Sequence, residues 1–208
     1  MIKNARRISK GPEGPRWDVN TDIFSRSHFR RSVGTIEFKY FKDLALPRVK
    51  AAAASVPRFK SLEEHFGFHV DDPGEDNLEL SFGSRSMPYK DAQGRIVEEK
   101  GASLRYTLAP TGEAAVILRP ATSSLSRPVE DHLYLRIGRY SGQYLARRLA
   151  SDLRDLVAYG CVTSLDADAT AGEKMRVWWL RRSRPVQIGG AFVPASVLGQ
   201  PRMPRWPW

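Results

Sequence analysis

The chain has 208 residues, a single cysteine and a formal net charge of +10 at pH 7. That length is enough to bury a core without covalent staples, and the lone Cys161 excludes an internal disulfide and, with it, a disulfide-built secreted scaffold. No apolar run approaches the roughly 20 residues needed to span a bilayer, and the basic start runs into Arg16, Asp18 and Asp22 rather than an apolar signal core, so a cytoplasmic protein is expected.

The charge is unevenly spread. Residues 1–60 carry a net +9, residues 61–102 a net −6 and residues 103–208 a net +7. Two basic ends flank an acidic insert, which suits a surface that meets nucleic acid or an acidic protein partner.

Residues 1–34 mix basic side chains with Gly, Pro, Ser and Asp and show no sustained apolar period, so they read as a basic extended arm. Within it, Arg26, Arg30 and Arg31 lie beside Phe24, His28 and Phe29, a basic and aromatic mix suited to gripping a phosphate backbone. From Thr35 the alternation of Ile36, Phe38 and Tyr40 predicts a first strand. Alanine-rich Leu46 to Val56 and then Ser61 to Phe68 predict two short helices divided by Pro57. Asp71 to Asp76 is an acidic turn around Pro73 and Gly74.

Leu78, Leu80 and Phe82 predict the next strand, and residues 83–101 a loop with at most a short hairpin about Gly94. Leu104 to Leu108 and Ala114 to Leu118 flank a Pro, Thr, Gly turn and form the best hairpin signal in the chain. Leu133, Leu135 and Ile137 then alternate with His132, Tyr134 and Arg136 as a half-buried strand. After Ser141 the period changes to that of a helix, with Leu145, Leu149, Leu153 and Leu156 on one side, Ser141 as N-cap and Gly160 as the stop. Met175 to Arg182 is assigned as a strand, Pro185 to Pro194 as a hairpin turning at Gly189 and Gly190, and 196–208 as a Pro, Arg and Trp tail.

These elements predict one α+β domain over 35–195, a mostly antiparallel sheet with helices packed on one face, flanked by extended N- and C-terminal tails. No glycine-rich phosphate loop, serine elbow or nucleotide fingerprint is present, so no motif requires a cofactor.

Three sets of residues carry chemistry. His65 and His69, four apart on an expected helix, would share a face and bind a metal with Asp71 or Asp72 following as oxygen ligands. His132 and Arg136, two steps apart along one strand face, could act as general acid or base and anion clamp on a phosphate-bearing substrate. Arg176, Trp178, Arg181, Arg182 and Arg184, together with Arg26, Arg30 and Arg31, would supply phosphate contacts, with Trp178 stacking on a base and Trp179 turned to the core. The leading expectation is a non-enzymatic binding or assembly protein that contacts nucleic acid or an acidic partner. The alternatives are a hydrolase or transferase acting on an anionic substrate, metal-dependent if the histidines bind a metal, and a structural subunit of a larger complex.

Overall fold

The computed structural model describes residues 19–126 and 128–195. Its helices are α1 (Val19–Ala45), α2 (Val49–Ala54), α3 (Phe59–Phe66), α4 (Gly142–Thr163) and α5 (Ala171–Ser183). Its strands are β1 (Phe68–Asp71), β2 (Asn77–Phe82), β3 (Ser84–Lys90), β4 (Ile96–Lys100), β5 (Ser103–Leu108), β6 (Ala114–Arg119), β7 (Thr122–Ser123), β8 (His132–Gly138), β9 (Val186–Ile188) and β10 (Ala191–Val193).

Seven strands form an antiparallel sheet in the order β1-β2-β5-β6-β8-β9-β10, and β3-β4-β7 form a second antiparallel sheet. The second sheet is built from continuations of the first, since β2 runs into β3 and β4 into β5. The corner is at Gly83 and Gly101, where the Gly101 N–H donates to the Gly83 carbonyl at 2.7 Å. A Cβ at Gly101 would stand 2.5 Å from that of Phe82, so only glycine lets the strands cross the bend.

Alternation decides which face is buried. Leu78, Leu80 and Phe82 of β2, Leu104 and Tyr106 of β5, Val116 and Leu118 of β6, and Leu133 and Leu135 of β8 all point into the core. The leucines of α4 and Phe38 and Phe41 of α1 complete it. Each such side chain contributes about 1.5 to 3 kcal/mol on burial, more than any cap or surface ion pair, so packing fixes the helices on the sheet. The fold is therefore the expected α+β arrangement of antiparallel sheets with helices packed against them.

Several local expectations are corrected. The extended arm and the strand predicted to follow it are one helix from Val19 to Ala45, and residues 1–18 lie outside the described residues, as does the tail 196–208. Ile36, Phe38 and Tyr40 mimic a strand because period two and period 3.6 overlap over so short a run. In the helix Phe38 and Phe41 are buried, while Ile36 and Tyr40 are exposed. Met175 to Arg182 belongs to α5, whose start is fixed by a capping box between Thr170 and Glu173. Residues 84–100 form a full hairpin rather than a loop. Finally, α4 keeps the Ser141 cap but runs through Gly160 to Thr163. Gly160 is a contact residue, not a stop: a Cβ there would lie 3.5 Å from that of Ala102.

Candidate functional site

β8 carries the first predicted pair, and a bulge separates its members. Ile117 pairs with Tyr134, but Val116 pairs with Arg136, so Leu135 is the extra residue and Arg136 is turned to the core face. His132 and Tyr134 remain on the opposite face. There the Arg119 Nε donates to His132 Nε2 at 3.1 Å, which places the imidazole proton on Nδ1. Burial, and then the positive charge of Arg119, hold the His132 pKa below its ordinary value. The lone pair a general base would use is already occupied by Arg119, and Arg136, the predicted anion clamp, lies on the other face of the strand.

Arg136 is instead an inward cation. It pairs with Asp152 of α4, whose Oδ2 also accepts from the Tyr106 hydroxyl at 2.9 Å. Burial pushes the Asp152 carboxyl up against the pull of these two partners.

The predicted arginine cluster of α5 is similarly drawn inward. Arg176 pairs with Asp155 of α4, and Arg181 donates from Nε to Glu130 at 2.7 Å, a carboxylate that also accepts from the Tyr159 hydroxyl at 2.8 Å. Arg182 stacks its guanidinium over the Trp178 ring, 5.6 Å from the centroid, and the Arg184 Nε is buried. The two indoles exchange their expected roles, because a helix puts consecutive residues about 100° apart: Trp178 is half-buried and Trp179 is 60% exposed. Thus α5 offers a Trp and Arg surface, but two of its arginines already neutralise carboxylates.

The metal candidates do not converge. Helix α3 ends at Phe66 because Gly67 takes a positive φ of 71°, so His65 is helical while His69 is on β1. His65 donates from Nδ1 to the Ser61 carbonyl at 2.7 Å, and Asp72 pairs with Lys42 of α1. Asp71 is exposed at the end of β1. Among the described residues no group of three or more His, Cys, Asp or Glu side chains is placed to hold a metal ion. Nor is any described helix long and apolar enough to cross a membrane. Cys161 is buried, and burial pushes its thiol up to about 11, which suits a packing residue rather than a nucleophile.

No protein-family model, curated protein or solved structure matches this chain.

The surface that sequence reasoning missed is on α1. Phe29, Val33, Ile36 and Tyr40 are all exposed, Phe29 and Ile36 by 69% and 68%. Their spacing of four, three and four places them within roughly 60° of one another on the helix, opposite Phe38 and Ala45. Arg30 and Lys39 lie on either side of this stripe, with Glu37, whose carboxylate accepts from the Gly142 N–H at 2.7 Å, beside the first and the exposed Asp43 beside the second. Among the described residues no carboxylate pairs with Arg30, Arg31 or Lys39. Arg30, Phe29 and Val33 also line a cleft of about 340 Å³ with Arg139 and Tyr140.

The geometry of α1 follows from one close crossing. Gly34 is seated against Gly112 in the β5–β6 turn, where a Cβ on Gly34 would stand 2.6 Å from the Gly112 carbonyl. Gly112 also lies against the main chain of Arg30 and Arg31, and along this stretch every side chain from Ser25 to Arg31 is exposed. A heptad spacing was legible in the sequence, but the alternation beside it pointed to a strand.

Proposed function

We propose that the chain is a non-enzymatic binding or assembly protein whose α1 docks an acidic amphipathic helix of a partner protein. The observation that carries this reading is the stripe of Phe29, Val33, Ile36 and Tyr40 on the outward side of α1, flanked by Arg30 and Lys39. Exposed apolar side chains at heptad spacing are the seam of a helix pair, and flanking charges select the partner's sign. The internal pairing of Arg176 and Arg181 favours a protein partner over nucleic acid, because it removes two of the cations a phosphate backbone would meet.

The test uses a synthetic helix with leucine at the seam positions and glutamate at the flanks, titrated against the full chain. It should bind, and Phe29→Ser with Ile36→Ser should abolish binding while changing stability by no more than about 0.5 kcal/mol, since both residues are solvent-exposed. Preference for the same helix carrying lysine at its flanks would sink the reading. So would binding to single-stranded or duplex oligonucleotide that survives the double variant and falls steeply with salt, which would return the assignment to nucleic acid.

A further inference from the structure

Helices α4 and α5 pack against each other and bury Leu153, Leu156, Val177 and Leu180 in the same core. Every carboxylate on the two helices is paired. Asp152 takes Arg136, Asp155 takes Arg176 and Glu173 takes Arg58. The cations are distributed the other way. Arg147 and Arg154 of α4 and Lys174 and Arg182 of α5 are exposed, and none pairs with a carboxylate among the described residues. Arg148 is exposed too, and only shares Asp155 with Arg176, through its charge. Asp168, just before α5, opens on a different cleft with Ser61 and His65 of α3, and Glu37 of α1 is held by the Gly142 N–H.

Arg147 and Arg154, seven residues apart, stand within about 20° of each other on the side of α4 opposite Leu145, Leu149 and Leu156. On α5, Met175 and Trp179 are one turn apart and both exposed, on the side away from Val177 and Leu180. The outer sides of the helices adjoin across the Arg176 and Asp155 pair. One surface therefore carries an apolar pair from α5 and unpaired cations from both helices.

We propose that this α4–α5 face binds the surface of an anionic lipid bilayer. Trp179 and Met175 enter the headgroup boundary, and the cations meet anionic headgroups. The charge is complementary because folding has paired the acids and left the cations outside. A nucleic acid fits the face less well. Stacking needs an open ring face, whereas Trp178 has the Arg182 guanidinium over its ring, and Met175 gives a base no ring to stack on. A second copy of the chain would set the cations against themselves. None of these residues belongs to the outward stripe of α1, so either site stands without the other.

The test sediments the full chain with sucrose-loaded vesicles of phosphatidylcholine, with and without phosphatidylserine. Binding should require phosphatidylserine and weaken with added salt. Arg147→Gln with Arg154→Gln should weaken it about 25-fold, about fivefold for each charge lost near an anionic surface. Trp179→Ser should weaken it as well, while Trp179→Phe should keep most of it, since phenylalanine also enters the interface. Phosphatidylserine brominated on its acyl chains should quench the wild-type tryptophan emission, and Trp179→Phe should lose most of that quenching. All three substituted side chains are exposed, so the variants should keep the fold, and quenching of the wild type is decisive without them. The proposal is overturned if no vesicle binds, if phosphatidylcholine alone binds as well, if the wild type is not quenched, or if the glutamine pair binds as the wild type does. Trp179→Ser at wild-type affinity would overturn it too, because the face would then read charge alone. An oligonucleotide or polyglutamate bound more tightly than the vesicles, and weakened by the same variants, would overturn it in favour of nucleic acid or an acidic protein.

Discussion

Arg136 of β8 and Asp152 of α4 form an ion pair inside the core, reached by a bulge that turns Arg136 away from its expected face. Tyr106 of β5 donates to the same carboxylate oxygen, so three elements meet on one charge. Two atoms of the pair, Asp152 Oδ1 and Arg136 Nε, have no hydrogen-bond partner among the described residues. Breaking such a pair is costly because it strands the surviving charge, whereas replacing both members with apolar groups is often neutral. Asp152→Ala should therefore lower the unfolding free energy by about 3 to 5 kcal/mol, and Arg136→Met with Asp152→Leu should restore most of that. Urea denaturation of the two variants checks this. A double variant no more stable than the single one would show that the pair is worth more than its packing volume.

The crossing of α1 over the β5–β6 turn sets a different expectation. Alanine is the better helix former by about 1 kcal/mol, yet Gly34→Ala would press its methyl against the Gly112 main chain. Gly112 itself has a φ of +79° and cannot easily yield. Gly34→Ala should destabilise the protein and loosen α1, read as faster amide exchange across residues 34–45. Unchanged exchange would mean that the turn moves aside at little cost.

Cys161 gives a pH dependence whose sign is fixed. Its thiol has an ordinary value of 9.0 and is raised by burial to about 11, so the folded state favours the neutral form. Between those values the unfolded chain ionises while the folded one does not. The stabilisation is complete below the unfolded value and is lost as pH rises from 9.0 toward 11. Cys161→Ala, compared with the wild type by denaturation at pH 8 and at pH 10.5, should remove that part of the decline. In the native protein at pH 8 the thiol should also resist alkylation until the chain unfolds.

What was legible in the sequence was local and repeated. The Ser141 cap and the four leucines of α4 announce a helix, and the Pro, Thr, Gly turn between β5 and β6 announces a hairpin. The turn at Gly189 and Gly190 does the same for β9 and β10, with both glycines at positive φ. The candidate site was less legible. Ile36, Phe38 and Tyr40 satisfy two periods at once, so the outward stripe of α1 was hidden inside an apparent strand.

The sequence by itself determined the alternation that gives each strand a buried face, the apolar stripe that lays α4 on the sheet, and the total of positive charge. Those depend on neighbours within a few residues, where sterics and solvent act on the chain directly. Tertiary structure decided which arginines remain available. Arg136, Arg176 and Arg181 find carboxylates 16, 21 and 51 residues away, while Arg30 and Lys39 stay on the outward side of α1. A charge's function depends on whether folding brings an opposite charge to it, and a bulge of one residue in β8 was enough to move Arg136 from a surface to the core.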